Sequence, residues 1–204
     1  VKNNDPTGHF ANPGNYVDES GRMYQDENLV DPTTPFQVGL EWLTGDDLKQ
    51  HNFSEGDPFT KLLQKHSYIQ EVRGKISQRL SEGDYNSYEQ DYDLSGLKGV
   101  PKYARDYSTL LTAGTTGNLA VTFLGSYQLY YYVNKVDPEN GTAEILFYVY
   151  NESTLASATH PPVIGYTDFW EQNITPFVNG LVAGDGPMSK VTQTILWTET
   201  ISFP

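Results

Sequence analysis

The chain has 204 residues, enough for one sizeable core, and sets 13 Lys and Arg against 26 Asp and Glu, a net charge of -13. With 37% hydrophobic and 13% aromatic residues it is too rich in Tyr, Phe and Trp for a disordered polymer, and its negative field argues against nucleic acid as a partner. Zero cysteine excludes a disulfide framework, a thiolate metal site and a cysteine nucleophile.

The charge is uneven along the chain: apart from His160, residues 117–204 hold only Lys135 and Lys190 as basic side chains, and no arginine. No apolar run approaches the ~18 residues of a membrane span. The start, Val1-Lys2-Asn3-Asn4, has no signal-peptide core, so the chain is expected to begin inside a longer precursor.

In chain order, residues 1–57 are punctuated by Asp5-Pro6, Asn12-Pro13-Gly14 and Asp31-Pro32 and read as an extended arm. Within it, residues 36–40 suit a short strand, and Leu40, Leu43 and Leu48 flank Trp42. A helix opens at Asp57-Pro58, where a carboxylate can cap free N–H groups and proline occupies the first position at no cost. Phe59, Leu62, Leu63, His66, Ile69, Val72, Ile76 and Leu80 recur at helical spacing, and Gly83 supplies the left-handed stop. A shorter helix starts near Pro101, with Ala104, Tyr107, Leu110 and Leu111 on one side, and residues 112–118 form a breaker-rich boundary.

From Leu119 the period changes to two, through Val121, Phe123, Tyr127, Leu129, Tyr131 and Val133, with a corner at Gly125-Ser126. Residues 137–141, Asp-Pro-Glu-Asn-Gly, make a hairpin turn. The return strand, residues 143–150, is apolar on both faces and should be covered on both. Thr167-Asp168 opens a short helix that Pro176 ends. The last strand, residues 191–203, alternates Val191, Ile195, Trp197, Ile201 and Phe203 with Thr and Ser, and Gln193 and Glu199 interrupt its apolar face. Buried there, those two need partners. The expected fold is α+β: an arm over residues 1–57, a helical section over 58–116, and an antiparallel β-sheet module with one covering helix over 117–204, with 58–204 forming one domain.

Four constellations carry candidate chemistry. His160 precedes Pro161-Pro162 on a strand-end loop, and Asp168 or Glu199 would orient it as a general base. His66 lies on the apolar helix face, where a hydrogen-bonded structural histidine is the expected role and a general base the alternative. Asp84, Glu89, Asp91 and Asp93 crowd residues 83–96, either as a solvated linker or as oxygen ligands for Ca²⁺. Tyr127, Tyr130, Tyr131, Tyr132, Tyr148 and Tyr150 sit on two neighbouring strands, with Asn151 beside them; they either fill the core or form a platform for a glycan or partner. The chain has no Gly-x-Ser-x-Gly elbow, Walker loop or Gly-x-Gly-x-x-Gly.

The segments Leu124-Gly125-Ser126-Tyr127, Tyr150-Asn151-Glu152-Ser153-Thr154 with Ser157-Ala158-Thr159, and residues 192–199, Thr-Gln-Thr-Ile-Leu-Trp-Thr-Glu, resemble terminal modules of bacterial secreted proteins, including Rhs-like polymorphic toxins and actinobacterial exported proteins. The opening Gly56-Asp57-Pro58-Phe59-Thr60 is similar to a segment upstream of that pattern. The resemblance implies delivery outside the producing cell, a role in competition between bacteria, and a cell-envelope component or an immunity-type protein as partner. It carries over no catalytic residue. The expected function is therefore a secreted effector or toxin module acting on an envelope target, with a non-catalytic tyrosine-lined binding module as the alternative.

Overall fold

The computed structural model describes residues 15–17, 23–25, 32–35, 37–38, 41, 50–94, 99, 101–102, 104–106, 118–153 and 191–204. Strands β1 (Asn15–Val17) and β2 (Met23–Gln25) form an antiparallel pair of their own, with Tyr16 opposite Tyr24. The main sheet has five strands: β3 (Gln50–Phe53), β4 (Tyr88–Glu89), β5 (Gln128–Asp137), β6 (Thr142–Ser153) and β7 (Val191–Ser202), in the order β3-β7-β6-β5-β4. Among the described residues, helices α1 (Pro58–Leu63), α2 (Ser67–Ser81) and α3 (Leu119–Leu124) accompany it. The fold is α+β, and the sheet is mixed: β3 runs parallel to β7 while every other pairing is antiparallel.

That parallel strand moves the boundary of the supposed arm. Phe53 is fully buried and stacks on Phe59 of α1 with ring centroids 4.4 Å apart, and Val38 enters the same core. Val38 and β3, both before residue 57, are therefore part of the main core and sheet. Residues 35, 37 and 38 are helical, not extended. The cause is a reciprocal cap: Gln37 Oε1 accepts from the Thr34 backbone N–H at 2.8 Å, the Gln37 N–H donates to Thr34 Oγ1 at 3.3 Å, and Pro35 stands at the first helical position.

The expected single helix over 57–81 is two. Lys65 N–H and His66 N–H close back on Leu62 O and Leu63 O, and His66 turns extended at φ -62° and ψ 138° before α2 begins. The break frees carbonyl oxygens, and side chains take them: Asn118 Nδ2 donates to Leu62 O at 2.7 Å, while Arg73 and Gln70 donate to Gln64 O at 2.9 and 3.2 Å. Asp57 does not cap α1. Its carboxylate accepts instead from the Ser54 N–H and hydroxyl at 2.6 and 3.0 Å. Ile69, Val72, Ile76 and Leu80 form the buried face of α2, which ends at Gly83 with φ 80°.

Leu119 to Leu124, expected as strand, is helix α3. Asn118 caps it by accepting from Val121 N–H at 3.2 Å, and Ala120, Val121, Thr122 and Leu124 are all buried. A six-residue run whose single polar residue, Thr122, is itself buried has no clear period that separates helix from strand. Gly125, at φ 69°, turns the chain out of α3 toward β5. The described residues near Pro101 are helical as expected, yet Ala104 is exposed and Asp106 is buried.

β5 and β6 form the expected hairpin, its turn tied by Asp137, which accepts from Asn140 N–H and Nδ2 at 3.1 and 2.8 Å. Gly141 has φ 59°, and a Cβ there would lie 2.5 Å from Phe203 O, so glycine is required twice over. Both sheet faces are apolar. Leu129, Ile145, Phe147, Val149, Ile195 and Trp197 point into the main core with the helices, Phe147 stacked on Trp197 at 4.9 Å. Tyr130, Leu146, Tyr148 and Leu196 form a separate buried cluster on the other face. The helix expected at Thr167-Asp168 lies outside the described residues.

The two polar interruptions of β7 have partners. Gln193 Oε1 accepts from Asn151 Nδ2 at 2.7 Å. Glu199 accepts from Arg73 Nε at 2.6 Å and Trp197 Nε1 at 2.7 Å, with a second bond from Arg73 making the guanidinium bidentate. Arg73→Met strips Glu199 of its counter-charge and Gln64 O of a donor, so it should lower unfolding free energy by about 2 kcal/mol in urea titration. An unchanged midpoint would contradict this reading.

Candidate functional site

Tyr92 extends the sheet edge beyond β4 through a bridge to Tyr127, the two exchanging backbone hydrogen bonds at 2.9 and 3.0 Å. Behind this bridge lies a buried polar cluster. His66, held there by the α1–α2 break, places Nδ1 3.1 Å from the Tyr127 hydroxyl and Nε2 3.5 Å from Asp106 Oδ1. The Tyr92 hydroxyl donates to Asp106 Oδ2, Arg105 Nε donates to Oδ1 at 3.1 Å, and Thr122 Oγ1 donates to the Asp106 carbonyl at 2.7 Å. His66, Tyr92, Asp106 and Tyr127 are each at most 3% exposed. The Tyr92 ring meets His66 edge-on at 4.9 Å and stacks on Tyr127 at 5.2 Å.

Burial alone would raise the Asp106 carboxyl, but hydrogen bonds from His66 and Tyr92 outweigh it and hold the pKa below the usual aspartate value. Burial and the bond to Asp106 push the Tyr92 phenol up, and burial pushes Tyr127 well up. Both phenols therefore stay protonated donors at neutral pH. Burial would lower Arg105, yet the hydrogen bond and charge of Asp106 raise it.

In front of the same bridge lies a pocket of about 310 Å³. Its lining includes three acidic residues, Asp91, Asp93 and Glu152, and three tyrosines, of which Tyr92 and Tyr127 are buried and Tyr150 is half-buried; the described lining residues include no Lys, Arg or His. Burial, followed by the Glu89 charge, raises the Asp91 pKa above the usual value. The Tyr150 hydroxyl lies 3.5 Å from Glu152 Oε2, and Tyr68 donates to the Asp91 carbonyl at 2.8 Å. Lys102 Nζ sits 5.0 Å from the Tyr92 ring centroid and 3.4 Å from the Asp93 carbonyl oxygen.

The expected site residues are distributed as follows. His66 takes the hydrogen-bonded, buried role. Glu199 is held by Arg73 and Trp197, so it is committed to joining α2 to β7. His160 and Asp168 lie outside the described residues. Tyr127, Tyr131 and Tyr148 are buried, so they form no exposed platform: the first two face the helices, and Tyr148 packs in the second cluster. Tyr150 is half-buried, and with Tyr127 and Asn151 it belongs to the pocket lining.

The acidic segment is split in use. Asp84 accepts from Asn86 and Tyr88, and those bonds, the Tyr88 bond foremost, hold its pKa down. Glu89 lies 3.3 Å from the Tyr130 hydroxyl, and Asp91 and Asp93 reach the pocket. Among the described residues no group of three or more His, Asp or Glu is arranged to hold a metal ion.

Sequence reasoning missed Tyr92, Arg105, Asp106 and Glu152. The register that brings Tyr92 to Tyr127 follows from a bridge of one residue pair, which leaves no periodic trace. Asp106 on a short helix looks like a solvent residue. Comparison with protein families, curated proteins and solved structures found no match for this chain.

Asp106 has a depressed folded pKa, so its stabilisation is complete above the unfolded carboxyl pKa of about 3.9 and is lost as pH falls through the folded value. Asp106→Ala should cost about 3–5 kcal/mol at pH 7. The gap in urea midpoint between wild type and Asp106→Asn should close as pH falls below about 3.9. A gap that persists unchanged into acid would count against the ionised pair.

Proposed function

We propose that this chain is a recognition module of an exported bacterial effector, acting outside the cytoplasm on a cell-envelope target that it binds in the pocket beside the Tyr92–Tyr127 bridge. The observation that carries the reading is the pocket itself: a concave site with acid and aromatic walls, backed by a buried network that fixes two of its tyrosines. Binding is favoured over catalysis because Glu199 is occupied by Arg73 and Trp197, and because the His66 imidazole lies behind the bridge rather than among the described pocket walls. The acidic surface favours an envelope target over nucleic acid. Export rests on the resemblance to terminal modules of secreted bacterial proteins.

The reading is tested by directing the chain to the periplasm or the cytoplasm of one bacterial host and by sedimenting purified chain with cell walls. Growth should slow only on periplasmic expression, and the chain should co-sediment. Asp91→Asn with Glu152→Gln should abolish both effects while the melting temperature holds. Cytoplasmic toxicity, or wall binding indifferent to the double variant, would overturn the proposal.

A further inference from the structure

One edge of the main sheet is closed over only part of its length. Strand β3 pairs with β7 from Thr192 to Ile195, and among the described residues no strand accompanies β7 from Leu196 to Ser202. We infer that this stretch is a strand-addition site, where a short, extended, basic segment of a partner polypeptide joins the sheet in line with β3. None of these β7 residues lines the pocket described above.

The ladder with β6 fixes which backbone groups face the edge. Phe203 N–H donates to Gly141 O at 2.8 Å, and the register continues from there to Val191 opposite Ser153 without a shift. Hydrogen-bonded pairs alternate in an antiparallel ladder, so Trp197, Glu199 and Ile201 direct their N–H and C=O groups to β6, while Leu196, Thr198, Thr200 and Ser202 point theirs away from it. Ser202 O accepts from Ser77 Oγ of α2 at 2.8 Å, which closes the far end. Between Phe53 and α2, Leu196, Thr198 and Thr200 therefore offer donors and acceptors along a lane roughly 17 Å long, at ~3.3 Å per residue.

The two sides of the sheet are guarded unequally. β5 shifts register between Val133 and Lys135 and exposes that lysine, both of which deter pairing, whereas β7 has no shift, lysine or proline. Charge and length select the occupant. β6 and β7 carry Glu144, Glu152 and Glu199 with no Lys or Arg, and Glu144 stands opposite Thr200, one strand in from the lane. On a chain of net charge -13 this draws in a basic segment and repels a second copy. A second copy would also bring a β7 of 12 residues with its own β3 alongside, and the lane between Phe53 and α2 has no room for them. β-Branched residues pair well opposite Thr198 and Thr200.

Amide hydrogen exchange followed by NMR on the full chain tests this, with the end-blocked peptide Lys-Val-Thr-Val-Lys-Val-Thr as the probe. In the free chain the Thr198 and Thr200 amides should exchange at least about tenfold faster than those of Trp197 and Glu199, which β6 holds. The peptide should slow the first pair about tenfold or more and leave the second unchanged. A fully N-methylated peptide, or one with glutamate for lysine, should bind about tenfold more weakly. Thr198→Pro removes an outward donor and spares the β6 ladder, and Thr200→Lys adds an edge cation; each should weaken the peptide about tenfold, the second at unchanged Tm. Thr198 and Thr200 amides already protected in the free chain, no slowing on addition of the peptide, or slowing indifferent to N-methylation overturns the inference. Protection that rises with chain concentration in the absence of peptide would place a second copy in the lane and overturn it equally.

Discussion

The structure turns on the buried ionised pair of Asp106 with its surrounding donors. A carboxylate that is 1% exposed is costly unless it is matched, and here Tyr92, Arg105 and His66 match it from separate parts of the chain. His66 comes from the junction of α1 and α2, Tyr92 from the edge beyond β4, and Asp106 from the helical turns after residue 99. Through Nδ1, His66 also reaches Tyr127 at the entrance to β5. Four segments are thus fastened at one point. This arrangement explains why α1 and α2 are separate: an unbroken helix would keep the His66 backbone helical, whereas the observed extended φ and ψ turn the imidazole into the cluster.

The consequence for the site is geometric. The bridge between Tyr92 and Tyr127 stands between the pocket and the core, with both hydroxyls engaged in the buried cluster and both rings packed in the core. Rigid rings backed by fully matched hydrogen bonds are what a small recognition site needs, because binding then orders little that was not already ordered. The acidic residues on the open side raise the local negative potential of an already anionic protein.

Much of the fold is legible in the residues. The alternation of β7, the turn from Asp137 to Gly141, and the face of Ile69, Val72, Ile76 and Leu80 all follow from spacing and turn chemistry. So does the need of Gln193 and Glu199 for partners. The failures are instructive because each involves a local pattern with two physical solutions. The run at α3 has a single polar residue, Thr122, so period separates helix from strand poorly there. The helical spacing of α1 and α2 continues through a break, since residues three apart still share a face after a tight turn. Strand β3 is four residues long and pairs with β7, about 140 residues away in sequence, and nothing local announces such a partner. The reciprocal cap of Thr34 and Gln37, with Pro35 between them, marks a helical start where the pattern of residues 36–40 suggests a strand. Of the candidate site, Tyr127, Asn151, Asp91 and Asp93 were within reach of sequence, but their convergence depends on the bridge.

The most direct test is a double-mutant cycle on Tyr92→Phe and Asp106→Asn, read by urea unfolding at pH 7. If the buried carboxylate fastens the edge to the helical segment, the two substitutions should couple by about 1–3 kcal/mol, because neither loss can be repeated once the shared bond is gone. Additive effects, with coupling near zero, would contradict the account.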